Sequence, residues 1–311
     1  MKKIILSLII AGLSIISNGQ QLSLHSQYML DMYMINPAVA GSYDFIPVSL
    51  NFRQQWVGFN GAPVTQTLTS HGYLGKNVGI GIGFFNEVAT PSRRTGMNVS
   101  FAYHVPMSSD FTRKLSFGIS PVFFQHYINS ELLTTYEPDD PAVIHGFNNQ
   151  FCPDVNFGVM FTQEKQYYAG VSVFNLLQIR RDLFQIMDEI DNPIQRTYYF
   201  IGGYTFEAGE DFIIEPSAHV QYQWGTPFQI DGNLRAVYKN RIGLGVSYRH
   251  DDALVYMALI NLGTFRFGYS YDMTLSDMAN YSFGSHEFHV AYRIIGNKRT
   301  SQSGGTLPMF Y

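Results

Sequence analysis

The chain has 311 residues, a formal net charge of -4 and only 14% charged residues, with 25 Phe and 21 Tyr. An ordinary soluble domain has about 25% charged residues, and the slightly acidic balance excludes a broad basic surface for nucleic acid. A mean hydropathy of -0.05 excludes a bundle of membrane helices. Few charges, many aromatic side chains and middling hydropathy together are typical of an outer-membrane β-barrel.

The first residues are typical of a secretory signal peptide. Lys2 and Lys3 precede an apolar run at 4–16, and Ser17 and Gly19 place small residues before a cleavage site. We therefore predict a signal peptide over 1–19. The apolar run is too short for an ordinary spanning helix, and no Cys directly follows the site, so we expect no lipoprotein anchor. These features predict a periplasmic, secreted or outer-membrane protein.

Residues 20–44 do not alternate as a strand does, and we predict an N-terminal capping segment there. Asn36-Pro37-Ala38 and Gly41-Ser42 are typical of turns. Pro fixes φ and removes a donor, while Gly permits backbone angles that are closed to other residues. The Asn36-Pro37-Ala38 block has two interpretations: a turn that seats this segment in a barrel, which we favour, or a docking element for a partner.

From residue 45 onward, short segments alternate between apolar and small or polar residues. The clearest is 264–272, where four aromatic residues fall on one face and Arg266, Gly268 and Ser270 fall on the other. Side chains of a strand alternate faces with period 2, so this segment has one apolar face and one polar face. A soluble sandwich turns the apolar face inward, whereas an outer-membrane barrel turns it outward to lipid.

Fourteen strand candidates follow one another at fairly even spacing. Their ranges are 48–53, 64–73, 79–84, 97–105, 117–123, 155–162, 167–174, 197–206, 212–224, 228–238, 242–248, 253–261, 264–272 and 287–294. Single-chain bacterial barrels use an even number of strands of roughly 10 residues. We predict an all-β fold, an antiparallel transmembrane β-barrel of about 14 strands over 45–296, followed by a polar tail over 297–311.

The connections between these strands differ in length. Lys239-Asn240, Asp251-Asp252 and 209–211 are short and polar, as hairpin turns are. Two stretches are long, 129–150 and 175–195, and the second contains a predicted helical turn over 183–190. Barrels place short turns on the periplasmic side and long loops outside. We therefore predict that both long loops face the exterior or fold into the mouth.

Several N-terminal blocks resemble a known family. Gln27-Tyr28-Met29 is followed by Asn36-Pro37-Ala38-Val39-Ala40-Gly41-Ser42, then by 52–59 (FRQQWVGF) and 62–67 (APVTQT). Their order and spacing resemble the opening of the PorP/SprF family. The strand pattern and the Gly284-Ser285-His286-Glu287 lead into the last strand extend the likeness over the mature chain. The resemblance implies an outer-membrane protein of the type IX secretion system.

The resemblance also implies partners. Members similar to SprF are associated with secretion and surface attachment of large adhesins, including gliding adhesins, and act with the C-terminal domains of those cargo proteins. Members similar to PorP are associated with periplasmic components of the secretion machine. The implied partners are that C-terminal domain, other type IX secretion components and outer-membrane lipid. The family-motif or partner-binding candidates are Gln27, Tyr28, Asn36, Pro37, Ala38, Gly41, Arg53, Gln55 and Trp56.

The end of the first strand has two interpretations. Arg53 falls on the polar face, where it forms a structural ion pair in the lumen, which we favour, or contacts a ligand. Its predicted ion-pair partners are Asp154, Glu215 or Asp231. Trp56 and Trp224 lie near strand ends and are typical of the interfacial aromatic girdle.

The sequence offers no pattern for catalysis or for a bound cofactor. No Gly-x-Ser-x-Gly elbow marks a nucleophile. Gly79, Gly81 and Gly83 alternate as in a strand, unlike a phosphate-binding loop. His286 and His289 fall on opposite faces of a strand, and the other His residues form no cluster, so we predict no metal site.

For two further features we favour a structural interpretation over a functional one. Asp139-Asp140 and Asp251-Asp252 are solvated turn residues rather than a Ca²⁺ site. Cys152 is the only cysteine, which excludes an internal disulfide, and nothing near it in sequence would activate a thiol.

We therefore predict a non-enzymatic partner of type IX secretion that binds the C-terminal region of a secreted surface protein or adhesin. The alternative is an outer-membrane transport barrel for hydrophobic small molecules. A continuous apolar lumen would favour transport. A lumen filled by side chains or by the N-terminal segment would favour binding.

Overall fold

The computed structural model describes residues 24–110, 112–132, 149–164, 166–179 and 193–295. The predicted signal peptide, the predicted helical turn at 183–190, Asp139-Asp140 and the C-terminal tail lie outside the described residues. Within the described ranges, no helix is both long and apolar enough to cross a membrane.

The described chain is almost entirely antiparallel β-structure. Its strands are β1 (Ile46–Gln54), β2 (Val64–Gly75), β3 (Val78–Ala89), β4 (Ser92–Pro106), β5 (Arg113–Ile128), β6 (Asn149–Gln163), β7 (Tyr167–Phe174), β8 (Thr197–Tyr204), β9 (Phe206–Ala208), β10 (Phe212–Gln223), β11 (Gln229–Tyr238), β12 (Ile242–Arg249), β13 (Ala253–Leu262), β14 (Phe265–Thr274) and β15 (Ser285–Ile294). Because β9 continues β8 after one residue and both pair with β10, the wall has fourteen strands. The predicted count is confirmed.

The sheet closes on itself into a barrel. Consecutive wall strands pair antiparallel, and the last strand returns to the first, with Ile46 opposite Ile294. Closure matters in a membrane because lipid offers no hydrogen bonds to a free strand edge. The backbone pairing of the wall is therefore satisfied within the chain.

The apolar face of the wall points outward. On β14, Phe265 and Phe267 are 45% and 40% exposed, whereas Arg266 and Ser270 are buried inside at 2% and 0%. The same alternation runs through the other strands, for example on β1 and β13. A soluble protein would bury the aromatic face, so this sidedness is that of a barrel surrounded by lipid.

Several strands are longer than predicted. β3, β4, β5 and β6 extend furthest, toward one end of the barrel, beyond the apolar alternation that revealed them. Their extensions carry polar residues on both faces, such as Arg93 beside Arg94 and Asn149 beside Gln150. Polar and apolar residues therefore stop alternating in these extensions, although the backbone pairing continues through them.

The two ends of the barrel differ. Turns at 76–77, 107–112, 164–166, 209–211, 239–241 and 263–264 form what we call the short-turn end. The strand ends that are joined by 55–63, 90–91, 129–148, 175–196, 224–228, 250–252 and 275–284 lie at the opposite end, which we call the long-loop end. Both long predicted connections therefore emerge at the same end, as expected of the outer side of a bacterial barrel.

Residues 24–45, which we call the lumen segment, run through the inside of the barrel. They form three short 3-10 turns, Tyr28–Leu30, Met32–Met34 and Pro37–Val39, and most of their side chains are buried. The segment starts near the long-loop end, where Ser26 contacts Arg53 close to the end of β1. It leaves at the short-turn end, where β1 begins. The main apolar core therefore lies between the lumen segment and the inner wall.

Glycines on the inner wall make room for this segment. A Cβ added to Gly79 would lie 1.9 Å from the carbonyl oxygen of Ala40, and one added to Gly118 would lie 2.3 Å from the nitrogen of Ala38. Non-bonded heavy atoms do not come this close, so a side chain at either position would force the backbone to move. The small residues on the polar faces of these strands thus form a track for the lumen segment.

Candidate functional site

A buried cluster of charged side chains holds the lumen segment near the long-loop end. Ser26 lies at its centre, and its hydroxyl donates to Asp272 at 2.6 Å. The same oxygen accepts from Arg53 at 2.8 Å and from Arg249 at 2.9 Å. The backbone N–H of Ser26 donates to the Glu287 carboxylate at 2.8 Å. We call these residues, together with Asp231, the anchor cluster.

Arg53 forms a structural ion pair, but with different carboxylates from those predicted. Its guanidinium lies 2.8 Å from Asp272 and 3.0 Å from Glu287, and all three side chains are buried. The three predicted partners are wrong: Asp154, Glu215 and Asp231. The reason is register, because pairing of β1 with β15 sets Arg53 directly opposite Glu287.

Other buried charges near the anchor cluster are also paired. Arg249 lies 3.1 Å from Asp231 and 3.0 Å from Asp272, while Glu215 pairs with Arg235 on the neighbouring strand. Burying charges is expensive unless partners and hydrogen bonds satisfy them. The hydroxyl and backbone N–H of Ser26 supply part of that satisfaction, so the lumen segment and the wall stabilise each other.

The rest of the lumen segment is hydrogen-bonded along its course. The Tyr28 hydroxyl accepts from Asn233 at 2.8 Å. The Asn36 amide donates to the carbonyl of Val159 at 3.1 Å, and its oxygen caps the Pro37–Val39 turn. Gly41, at φ 72°, donates its N–H to an imidazole of β2 at 3.1 Å. Hydrogen bonds to several strands of the wall therefore hold the lumen segment inside the barrel.

Nearly all the sequence-predicted candidates are therefore inside the barrel. The buried ones are Gln27, Tyr28, Asn36, Pro37, Ala38, Gly41, Arg53 and Gln55. Trp56 is half-buried at the long-loop end, where its backbone N–H donates to the Ser285 hydroxyl at 3.1 Å. A partner would reach the buried eight only if the lumen segment moved.

An exposed aromatic surface at the long-loop end was not singled out from sequence. Connections 55–63 and 275–284, which we call the mouth ridge, are joined by backbone bonds, with the Val57 N–H donating to Gly284 at 2.8 Å. Phe59, Tyr281 and Phe283 are 46%, 68% and 77% exposed on this ridge. The sequence shows aromatic residues in these connections, but single aromatic residues in loops are common and do not by themselves indicate a binding surface.

A cavity of about 110 Å³ lies beside the lumen segment in the half of the barrel nearer the long loops. Tyr33, Met34 and Ile35 of the segment form its inner wall. Strands β2 to β6 supply most of the remaining wall.

Other predicted features lie apart from these sites. His289 faces the lumen and His286 faces outward, as the strand spacing predicts. Asp251 lies in a turn at 85% side-chain exposure, and Asp252 pairs with Arg249 at 3.3 Å. No group of three or more metal-ligating side chains occurs in the part of the chain that the structure describes.

Comparison with known proteins gives one family and a set of barrels. The family described as "Type IX secretion system membrane protein PorP/SprF" matches residues 17–292. No curated protein matches the chain. CymD, a monoaromatic hydrocarbon channel, superposes with a TM-score of 0.51 at 11% identity over 88% of this chain and 93% of its own.

Two other barrels are more distant in shape. The outer membrane protein Omp33 of Acinetobacter baumannii has a TM-score of 0.47 at 8% identity, over 80% of this chain and 98% of its own. The toluene transporter TodX of Pseudomonas putida has a TM-score of 0.47 at 9% identity, over 89% of this chain and 95% of its own. At such identities the likeness to CymD shows the fold alone.

Proposed function

Because this chain belongs to the PorP/SprF family of type IX secretion system membrane proteins, we propose that it binds the C-terminal region of a secreted surface protein or adhesin. On this proposal the barrel lies in the outer membrane with its long-loop end outside, and it helps the cargo to be exported and attached to the cell. Family membership implies association with other type IX secretion components.

The observation that carries the proposal is the filled lumen. The lumen segment crosses the barrel, and the anchor cluster ties its start to four strands of the wall. Such an interior is largely occupied by the chain itself, and the remaining cavity of about 110 Å³ is too small for a protein domain. Partner contact is then left to the surfaces at the two ends, not to the inner wall.

The mouth ridge is the surface that we assign to cargo. Its aromatic side chains are highly exposed on connections held together by backbone hydrogen bonds. Aromatic residues are enriched where protein interfaces are strongest. The ridge also lies at the end with both long connections, which places several loops within reach of one bound domain.

The alternative, transport of hydrophobic small molecules, needs a continuous apolar passage. The inner wall is instead lined by many polar and charged residues, and the lumen segment lies inside the barrel beside the cavity. The hydrocarbon channel function belongs to CymD, whose likeness extends only to the fold. The binding role therefore has the stronger support.

A pull-down from detergent-solubilised outer membranes tests the proposal. Tagged protein should recover a large secreted protein held through its C-terminal domain, identified by mass spectrometry. The double substitution Tyr281→Ser and Phe283→Ser should abolish that recovery. Phe206→Ser, an exposed aromatic at the short-turn end, serves as the matched control. Recovery of the barrel alone, while other secretion complexes stay intact, would count against the cargo role and favour transport.

A further inference from the structure

The outer half of the lumen is filled unevenly. The anchor cluster occupies the side formed by β1, β11, β12, β14 and β15, whereas the cavity remains on the side formed by β2 to β8. Glu87 and Arg94 line the cavity, and each side chain is 21% exposed. The cavity therefore opens toward the long-loop end.

Several polar groups line this cavity with hydrogen-bonding capacity left over. Arg94 donates one N–H group to Glu87 at 3.2 Å, which leaves further N–H groups on Arg94 and one carboxylate oxygen on Glu87. The Tyr199 hydroxyl has no hydrogen-bond partner among the described residues, although Tyr199 is only 5% exposed. Asn156 accepts a bond through its oxygen, and its amide N–H groups stay unpaired in the same part of the structure.

Aromatic rings form the other part of the lining. Phe174 packs edge-on against Tyr199 with ring centroids 5.0 Å apart. Arg94 lies 5.9 Å from the ring centroid of Phe85, which lines the cavity, and 4.6 Å from that of Phe124, which is buried outside the lining. These contacts hold the guanidinium in place, so the polar groups are presented on a fixed aromatic frame.

We propose that this cavity binds one neutral sugar residue, such as the end of a cell-surface glycan. Paired donors and acceptors on Arg94 and Glu87 match neighbouring hydroxyl groups, each of which both donates and accepts. Flat aromatic faces match the C–H face of a pyranose ring. This inference rests on the cavity alone and is independent of the cargo role.

Other ligand classes fit less well. The single positive and single negative charge neutralise each other, so a charged ligand would have to compete with the ion pair between Arg94 and Glu87. A hydrocarbon would leave the Tyr199 hydroxyl and the Asn156 amide buried without partners, which is costly. The volume corresponds to on the order of ten water sites, which is about the space of one pyranose ring with its hydroxyls.

The test uses the full chain purified in a detergent without a sugar head group. Glucose, galactose, mannose and N-acetylglucosamine are each titrated by saturation-transfer NMR and calorimetry. At least one should bind saturably. Tyr199→Phe should raise its Kd about 3- to 10-fold, the effect of one hydrogen bond, and Arg94→Gln should raise it further.

Two matched controls lie next to these residues in sequence. Tyr198 and Arg93 are the strand neighbours on the outward face, so Tyr198→Phe and Arg93→Gln should leave Kd unchanged. Absence of binding by every sugar would overturn the proposal, as would binding that is insensitive to both lumen substitutions. Displacement of the sugar by a cargo C-terminal peptide, with the peptide binding more tightly, would assign the cavity to cargo instead. Cargo recovery in the pull-down should survive Tyr199→Phe, which separates this proposal from the cargo role.

Discussion

Gly158 on β6 is where the fit between the wall and the lumen segment is tested most directly. A Cβ at this position would lie 2.1 Å from the Asn36 side-chain oxygen and 2.9 Å from the Pro37 Cδ. Ordinary contacts need more than 3 Å, so Gly158→Val must push the Asn36-Pro37 turn away from the wall. We expect the lumen segment to be detached from the wall at this turn for a much larger fraction of the time.

The size of the effect follows from the bonds that the turn would lose. The Asn36 amide donates to the carbonyl of Val159 at 3.1 Å and to that of Val171 at 3.4 Å, both on the wall. Two such bonds contribute about 1 kcal/mol each, and a buried donor left without a partner costs about 1–3 kcal/mol more. A total of about 3–5 kcal/mol would raise the displaced population roughly 100- to 5,000-fold.

The assay is conductance of the purified barrel in a planar lipid bilayer, with hydrogen exchange of residues 24–45 measured in parallel. Gly158→Val should open brief conducting states and speed exchange in the segment. Gly232→Val is the control, because nothing lies within 4 Å of the Cβ it would add. Heat-modified migration on gels shows that each variant has assembled. If Gly158→Val matches the wild type in both conductance and exchange, the lumen segment is not held by this contact and the argument fails.

Three further outcomes follow from the same structure. Arg53→Met should lower barrel stability by about 3–5 kcal/mol, because Asp272 and Glu287 would stay buried without their cation; the temperature of heat-modified migration measures this, and the exposed Arg93→Met should leave that temperature unchanged. Leu234→Arg, on the outward face at 50% exposure, should cost about 2–4 kcal/mol if β11 crosses lipid there; urea unfolding in vesicles tests this, with Leu234→Met as control. Deletion of residues 24–40 should produce a steadily conducting barrel, and a deletion variant that folds yet stays closed would contradict the role given to the lumen segment.

The alternation of polar and apolar residues along the sequence predicted most of the fold. The alternation at 264–272 and its counterparts predicted the strands and their number, because side-chain direction in a strand depends only on position along it. The prediction weakened where both faces are polar, as at the ends of β4, β5 and β6. The candidate residues around Asn36 and Arg53 came from family resemblance and strand position, and they mark where the lumen segment meets the wall.

The sequence by itself therefore determined the strands, their two faces, the order of short and long connections, and the placement of Arg53 on the polar face. Only the tertiary structure decided that the apolar face points outward, that residues 24–45 fill the lumen, and that Arg53 pairs with Asp272 and Glu287. The reason is that these facts depend on closure and register. β1 lies at the opposite end of the chain from β14 and β15, and it comes beside β15 only when the barrel closes.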